Sequence, residues 1–282
     1  MKDENIRIIP VLTTQAGSCM TEANWQAAGV HVASFYLTAL LMKPGFDFLK
    51  TLPSIAVYTG WQGRSVLNAS LLKMAADGRY VLRSDYDGSS SYYSVEEILT
   101  LIATLQPNVV ILPQGTLDKN AKLWESLPES ICLFVQANDV ARCSEIGRSY
   151  GVYIAYDKTT TSPYQLLQQI EQYQAIPHYI AGDLNLPLML DLVGKGIKYI
   201  ESDTPASDAY EGNVYSSGGM ISLQNQDCAM RFEVIDKNCK CSVCSQNFTQ
   251  AYLHHLLEHT PLLCQRYLIE HNIHYCQTID TY

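Results

Sequence analysis

No apolar run of about 18 or more residues occurs in the 282-residue chain, which argues against a transmembrane helix. The opening MKDENIRIIP lacks the apolar core of a signal peptide. Positive charge is scarce. Nineteen Lys and Arg stand against 28 Asp and Glu, a net charge of −9. That argues against a general nucleic-acid coat, although a local basic groove remains compatible with it. Regular cysteine pairing is missing too. The nine cysteines are odd in number and unevenly spaced, which points to a reducing compartment and so to the cytoplasm. Gln, Asn, Tyr and His are plentiful, but no segment is of low complexity.

What is present is enough for one large α/β domain with a small appendage, at 47% hydrophobic residues. Short apolar runs predict strands at 6–12, 30–35, 54–58, 108–113, 131–135, 152–156, 178–182 and 197–201. Most are continuous rather than alternating, as in parallel strands covered on both faces. Helices are predicted between most of them. Ser94 with Glu97 fits a capping box, SPYQLLQQIEQYQ (162–174) carries Pro just inside its start, and LMLDLVGKG ends on glycines. YVLRSDYDGSSSYYS (80–94) reads as an inserted hairpin. Eight strands in βα alternation predict a (β/α)8 TIM barrel over 1–205, with the hairpin near 78–93; an open doubly wound sheet is the alternative. After residue 205 the pattern changes. NVYSSGGMISL predicts strand, glycine turn, strand, and a long helix is expected from about 248 to 272.

Between them lies CKCSVCSQNFTQAYLHHL (239–256). Cys239, Cys241 and Cys244 are close enough to ligate one ion as thiolates, and Zn²⁺ takes four N or S ligands in a tetrahedron. By loop arithmetic His254, His255, His259 or the more distant His271 supplies the fourth. A filled shell of four leaves no open position, so the metal is expected to be structural. The alternative, three free thiols packed as small hydrophobes, suits a cluster flanked by Asp236, Lys237 and Asn238 poorly. Residues 206–282 are thus expected to form a zinc-binding C-terminal subdomain.

The C-x-C-x₂-C cluster, AYLHHL at 251–256 and Glu270-His271-Asn272 resemble the zinc subdomain of the tRNA-guanine transglycosylases, or queuine tRNA-ribosyltransferases. The resemblance implies that His271, the His of a His-Asn pair, is the fourth zinc ligand. Two departures are one extra residue between Cys244 and the helix, and Gln250 where the family usually has Arg. Upstream, IIPVLTTQAGSCMT followed by FYLTALLMKPG (35–45) is similar to the family's opening. Gly60-Trp61-Gln62 lies where the family has Gly-Phe-Gln. SDYDGS (84–89) with Ser94 and Glu96 resembles elements of its hairpin, and 178–205 tracks the end of its barrel. Residues 114–175 show no match to it.

Family members exchange a guanine of the tRNA anticodon for a 7-deazaguanine base. A carboxylate attacks the ribose anomeric carbon, a covalent ester forms, and the incoming base displaces the enzyme. Aligned on Pro205, the nucleophile position holds Glu201, and Ser202 replaces a Cys. Glu is one methylene longer than the family's Asp, a misplacement of about 1 Å, which costs on the order of a hundredfold in rate. Asp203, two residues on, is the other candidate nucleophile. Further family Asp positions fall on Val57 and in Leu112-Pro113-Gln114, its base-cradling Gly-Gly-Leu segment is not evident in 152–160, and two anticodon-binding Arg fall on Ser207 and Tyr210. The Glu-Ser pair is similar to the non-catalytic subunit of the family's eukaryotic heterodimer. The resemblance therefore implies an accessory member of 7-deazaguanine (queuosine-type) tRNA modification. It would act as a homodimer, or as a heterodimer with a catalytic homologue, with tRNA as a further partner. The alternative is an active base-exchange glycosyltransferase using Asp203 or Glu201. The resemblance also implies base contacts from Trp61, Gln62, Gly182 and Asp183, with Trp61 stacking on the base rather than serving as core. A remote alternative is a barrel lyase with Lys158, which follows the sixth strand, as Schiff-base lysine.

Overall fold

In the computed structural model, residues 8–145 and 147–278 are described. In chain order the strands are β1 (Val32–Tyr36), β2 (Arg64–Asn68), β3 (Lys73–Met74), β4 (Tyr80–Arg83), β5 (Ser90–Tyr93) and β6 (Val109–Ile111). Then come β7 (Cys132–Gln136), β8 (Tyr150–Tyr156), β9 (His178–Gly182), β10 (Tyr199–Glu201), β11 (Asn213–Ser216) and β12 (Gly219–Ser222). The order β1-β2-β6-β7-β8-β9-β10 makes a seven-stranded sheet, and the pairs from β1 through β8 are parallel. With helices between these strands the fold is a nearly closed (β/α) barrel, as expected. The first predicted strand is reduced to a bridge of Ile9 to Glu201, with Ile9 N donating to Ile200 O at 2.7 Å and Ser202 N to Ile9 O at 3.1 Å. Residues 6 and 7 of that prediction lie outside the described residues.

The expected strand at 54–58 is instead a helix, Ile55–Thr59. Ser54 caps it by accepting from Val57 N at 3.1 Å, and Gly60 ends it with φ +76°. Its apolar residues are not all core: Ile55 is buried, but Val57 is 67% exposed. The third barrel strand is β2, ten residues later. The predicted helix at 248–272 is two helices, Gln250–His259 and Pro261–Thr278. The first ends at Thr260, because Pro261 has no N–H to continue it.

The chain divides into two compact units, Met1–His31 with Gly182–Tyr282, and Val32–Ala181. In the second, β3, β4 and β5 form the antiparallel insert expected near 80–94. Tyr80 is fully buried there, its hydroxyl paired with Thr116 Oγ1 at 2.7 Å, so the insert is anchored by a satisfied polar contact. The predicted capping box at Ser94 starts the Val95–Leu105 helix, and the Pro163–Gln172 helix begins on its expected Pro, with a further capping box at Ser162. In the first unit, β11 and β12 form the expected hairpin, and the last helix packs on the Thr204–Tyr210 helix and on β11. Among the described residues no helix is long and apolar enough to cross a membrane.

Candidate metal centre and the end of the last barrel strand

The 239–245 segment is a tight turn followed by one helical turn, Ser242–Ser245. The backbone aims amides at sulfur: Cys241 N donates to Cys239 Sγ at 3.5 Å and Cys244 N to Cys241 Sγ at 3.4 Å. Such contacts favour the thiolate, the form that binds metal. Of the four candidate histidines, the last helix delivers His271. Its Nδ1 lies 3.7, 3.3 and 3.4 Å from the sulfurs of Cys239, Cys241 and Cys244. All four donor atoms lie within 4.8 Å of one another. A tetrahedral ion with Zn–S near 2.3 Å and Zn–N near 2.0–2.1 Å separates N from S by about 3.5 Å. The donor set and its spacing therefore fit a metal ion of that size.

The surroundings fix the ligand tautomer. His271 Nε2 donates to Tyr215 O at 2.7 Å, which leaves the Nδ1 lone pair for the ion. Burial lowers the His271 pKa, but hydrogen bonds to the Cys239 and Cys244 sulfurs and to the Tyr215 carbonyl outweigh it and push it up to about 10. Hydrogen bonds from Cys239 and Cys241 hold the Cys244 thiol well below its ordinary value. Glu270 accepts from Ser242 Oγ, and Asp236 accepts from Ser217 N at 2.5 Å and Asn238 N at 2.7 Å. These contacts tie the cysteine turn to the last helix and to the β11–β12 hairpin. The other candidate ligands stand elsewhere. His254 is buried with Nδ1 on Leu223 O at 2.7 Å, and His255 and His259 are exposed.

Both candidate nucleophiles sit at the end of β10. Glu201 is its last residue and is 0% exposed. Asp203 lies beyond the strand in helical conformation, just ahead of the Thr204–Tyr210 helix. Its Oδ1 accepts from Thr14 Oγ1 and its Oδ2 from Ser207 Oγ, both at 2.7 Å. Burial raises the Asp203 pKa, and the two hydroxyls work against that rise. Ser202 Oγ contacts the carbonyls of Gly182 and Leu184, each at 3.2 Å, and so fastens the turn after β9. Gly182 has φ +135°, and Asp183 is exposed. In the other unit Trp61 is 2% exposed and donates its indole N–H to Arg64 O at 3.0 Å. Gln62 is exposed, with Nε2 on Gly60 O at 3.2 Å. Lys158 is exposed in a turn organised by Asp157, whose Oδ1 accepts from Thr159 N at 2.8 Å.

The family model for queuine tRNA-ribosyltransferase matches residues 154–279, so the match takes in both β10 and the cysteine–histidine group. Queuine tRNA-ribosyltransferases of Clostridium acetobutylicum and Thermotoga maritima are each 22% identical to the chain. The alignments cover 85% of this chain and 77% of the relative for the first, and 95% and 83% for the second. The enzyme of Buchnera aphidicola is 32% identical over 103 residues, 36% of this chain and 28% of the relative. The chain is similar to the queuine tRNA-ribosyltransferases, through the family model over residues 154–279 and through these enzymes along most of its length.

The likeness is legible at the metal centre and less so at the strand end. The family match starts at residue 154, inside the stretch where the sequence alone gave no resemblance. Thr14 and Gln15 were not foreseen as partners of the strand end. Besides Thr14 on Asp203, Gln15 Nε2 donates to Tyr210 OH at 2.8 Å. Ser207, through Asp203, and Tyr210, through Gln15, are thus occupied with contacts inside this unit. The Thr14–Asp203 and Gln15–Tyr210 contacts span 189 and 195 residues of sequence, and nothing in local spacing signals them.

Proposed function

We propose that this chain is a divergent accessory member of its family, linked to 7-deazaguanine tRNA modification without carrying out base exchange itself. The observation behind this reading is the state of the strand end. Glu201, at the mapped nucleophile position, is fully buried, and both Asp203 oxygens accept hydroxyl hydrogen bonds. Neither carboxylate is free to attack an anomeric carbon in this conformation. The Cys239, Cys241, Cys244, His271 group supports a zinc ion with a structural role, since four protein ligands fill its shell. The proposed setting is the cytoplasm, and the proposed partners are tRNA and either a second copy or a catalytic homologue. Gln62, and separately Gly182 and Asp183, are proposed base contacts. Trp61, buried with its N–H satisfied, would support Gln62 rather than stack.

A second reading has Asp203 as a relocated nucleophile, with Glu201 as the alternative. It is favoured by a part-buried carboxyl of raised pKa at the end of the last barrel strand, the region where barrel enzymes place their chemistry.

Incorporation of labelled guanine into tRNA by the purified chain, alone and with an active homologue from the same cell, separates the two. The accessory reading expects no exchange alone, and a stable complex or altered rate with the homologue. Exchange by the chain alone, abolished by Asp203→Ala or Glu201→Ala, would replace it with the second reading.

A further inference from the structure

The Gln250–His259 helix carries two imidazoles that the buried metal group does not use. His255 and His259 stand at i and i+4, so both project from one face. Both are exposed, and their rings lie side by side with centroids 4.4 Å apart and planes inclined at 52°. Neighbouring groups add negative potential. His259 is the last helical residue, at the end where the helix presents uncompensated carbonyls and the negative pole of its dipole. Glu258, three residues after His255, is an exposed carboxylate whose Oε1 stands 3.6 Å from Nε2 of buried His254. The chain as a whole carries a net charge of −9.

We propose that His255 and His259 form a second, exchangeable binding site for a divalent transition-metal ion on the outer face of this helix, distinct from the buried Cys₃His group. Two imidazoles one helical turn apart chelate an ion through one nitrogen each, and solvent completes the shell. Neutral imidazole with open positions suits Cu²⁺, Ni²⁺ and Zn²⁺, and the general order of divalent affinities puts Cu²⁺ first. Both ligands lie at the surface, so the ion exchanges with solution, unlike one enclosed by four protein ligands.

The test is a calorimetric titration of the zinc-loaded full chain with Ni²⁺ and with Cu²⁺. Wild type should bind one further ion per chain, with Cu²⁺ tighter than Ni²⁺, while metal analysis shows the original zinc retained. His255→Ala and His259→Ala should each weaken that ion by roughly tenfold or more, through loss of chelation. The same Ni²⁺ titration followed by NMR should broaden the imidazole signals of these two residues before any others. The proposal is overturned if wild type takes up no further ion, or if both variants bind it as wild type does. Failure of the buried site would be seen separately, as loss of zinc from the untitrated protein.

Discussion

His271 and Asn272, adjacent in sequence, hold the two backbone hydrogen-bonding groups of one residue. His271 Nε2 donates to the Tyr215 carbonyl at 2.7 Å, and Asn272 Oδ1 accepts from the Tyr215 amide at 2.9 Å. Both side chains are 0% exposed. The metal-side imidazole and its neighbour thus clamp β11 from the last helix, and metal binding and packing in this subdomain are joined.

The clamp would make a metal bound at this group part of the fold. Cys241→Ser should reduce zinc from about one ion per chain and lower the unfolding temperature, and a strong chelator should do the same to wild type. Elemental analysis with a thermal melt checks both. Full zinc occupancy in Cys241→Ser would count against the assignment of ligands.

Asn272 should matter without touching the ion. Its Nδ2 also donates to Pro205 O at 3.1 Å and Asn213 O at 2.9 Å, so Asn272→Ala removes the partner of two buried backbone groups and one part-buried group. At about 1–3 kcal/mol for a buried group left unpaired, a loss of about 3 kcal/mol or more is expected in urea unfolding. An unchanged unfolding midpoint would show that water replaces the amide.

Asp203 gives a pH signature. Burial raises its folded pKa above the unfolded value, so between the two the native state binds more protons than the unfolded state. Its contribution to stability therefore falls as pH rises through that window. Asp203→Asn cannot ionise and can still bond to both hydroxyls. It should be at least as stable as wild type near about pH 7, with the advantage shrinking toward about pH 4. A variant less stable than wild type at neutral pH would show that the hydroxyls favour the charged form.

Gly151 in β8 tests the barrel wall. A Cβ there would stand 2.2 Å from Phe134 Cε1 and 2.8 Å from the Pro177 carbonyl oxygen, and a carbonyl in a strand connection has little freedom to move. Gly151→Ala should cost about 2 kcal/mol or more. Soluble yield and a urea titration would show it.

The sequence was most readable where chemistry demands spacing or where burial demands apolar runs. A thiolate cluster needs cysteines within a few residues of each other, and β6, β7, β8 and β9 are continuous apolar runs. It was least readable where a short run fits two periods. SIAVY is apolar enough for a strand, but the Ser54 cap and the left-handed Gly60 make it a helix. RSVLN was passed over because polar residues interrupt it, yet Ser65 and Asn68 are buried. Their polarity is met inside the fold: Ser65 Oγ donates to Asn108 Oδ1 at 3.5 Å, and Asn68 Oδ1 accepts from Ser70 N at 3.0 Å. The break at Thr260 was hidden because Pro261 starts a helix as readily as it stops one. The hydroxyl pair on Asp203 joins positions 14 and 203, a contact that only the folded chain reveals.

The Asn272 bridge to Pro205 has a thermodynamic corollary. Pro205 is two residues from Asp203, and Asn272 is one residue from the imidazole that grips the ion. Any molecule that rearranges the strand end on binding would feel the ion's presence, and by linkage the ion would feel that molecule to the same degree. A metal held at this site would thereby act as an effector of recognition as well as a brace of the fold.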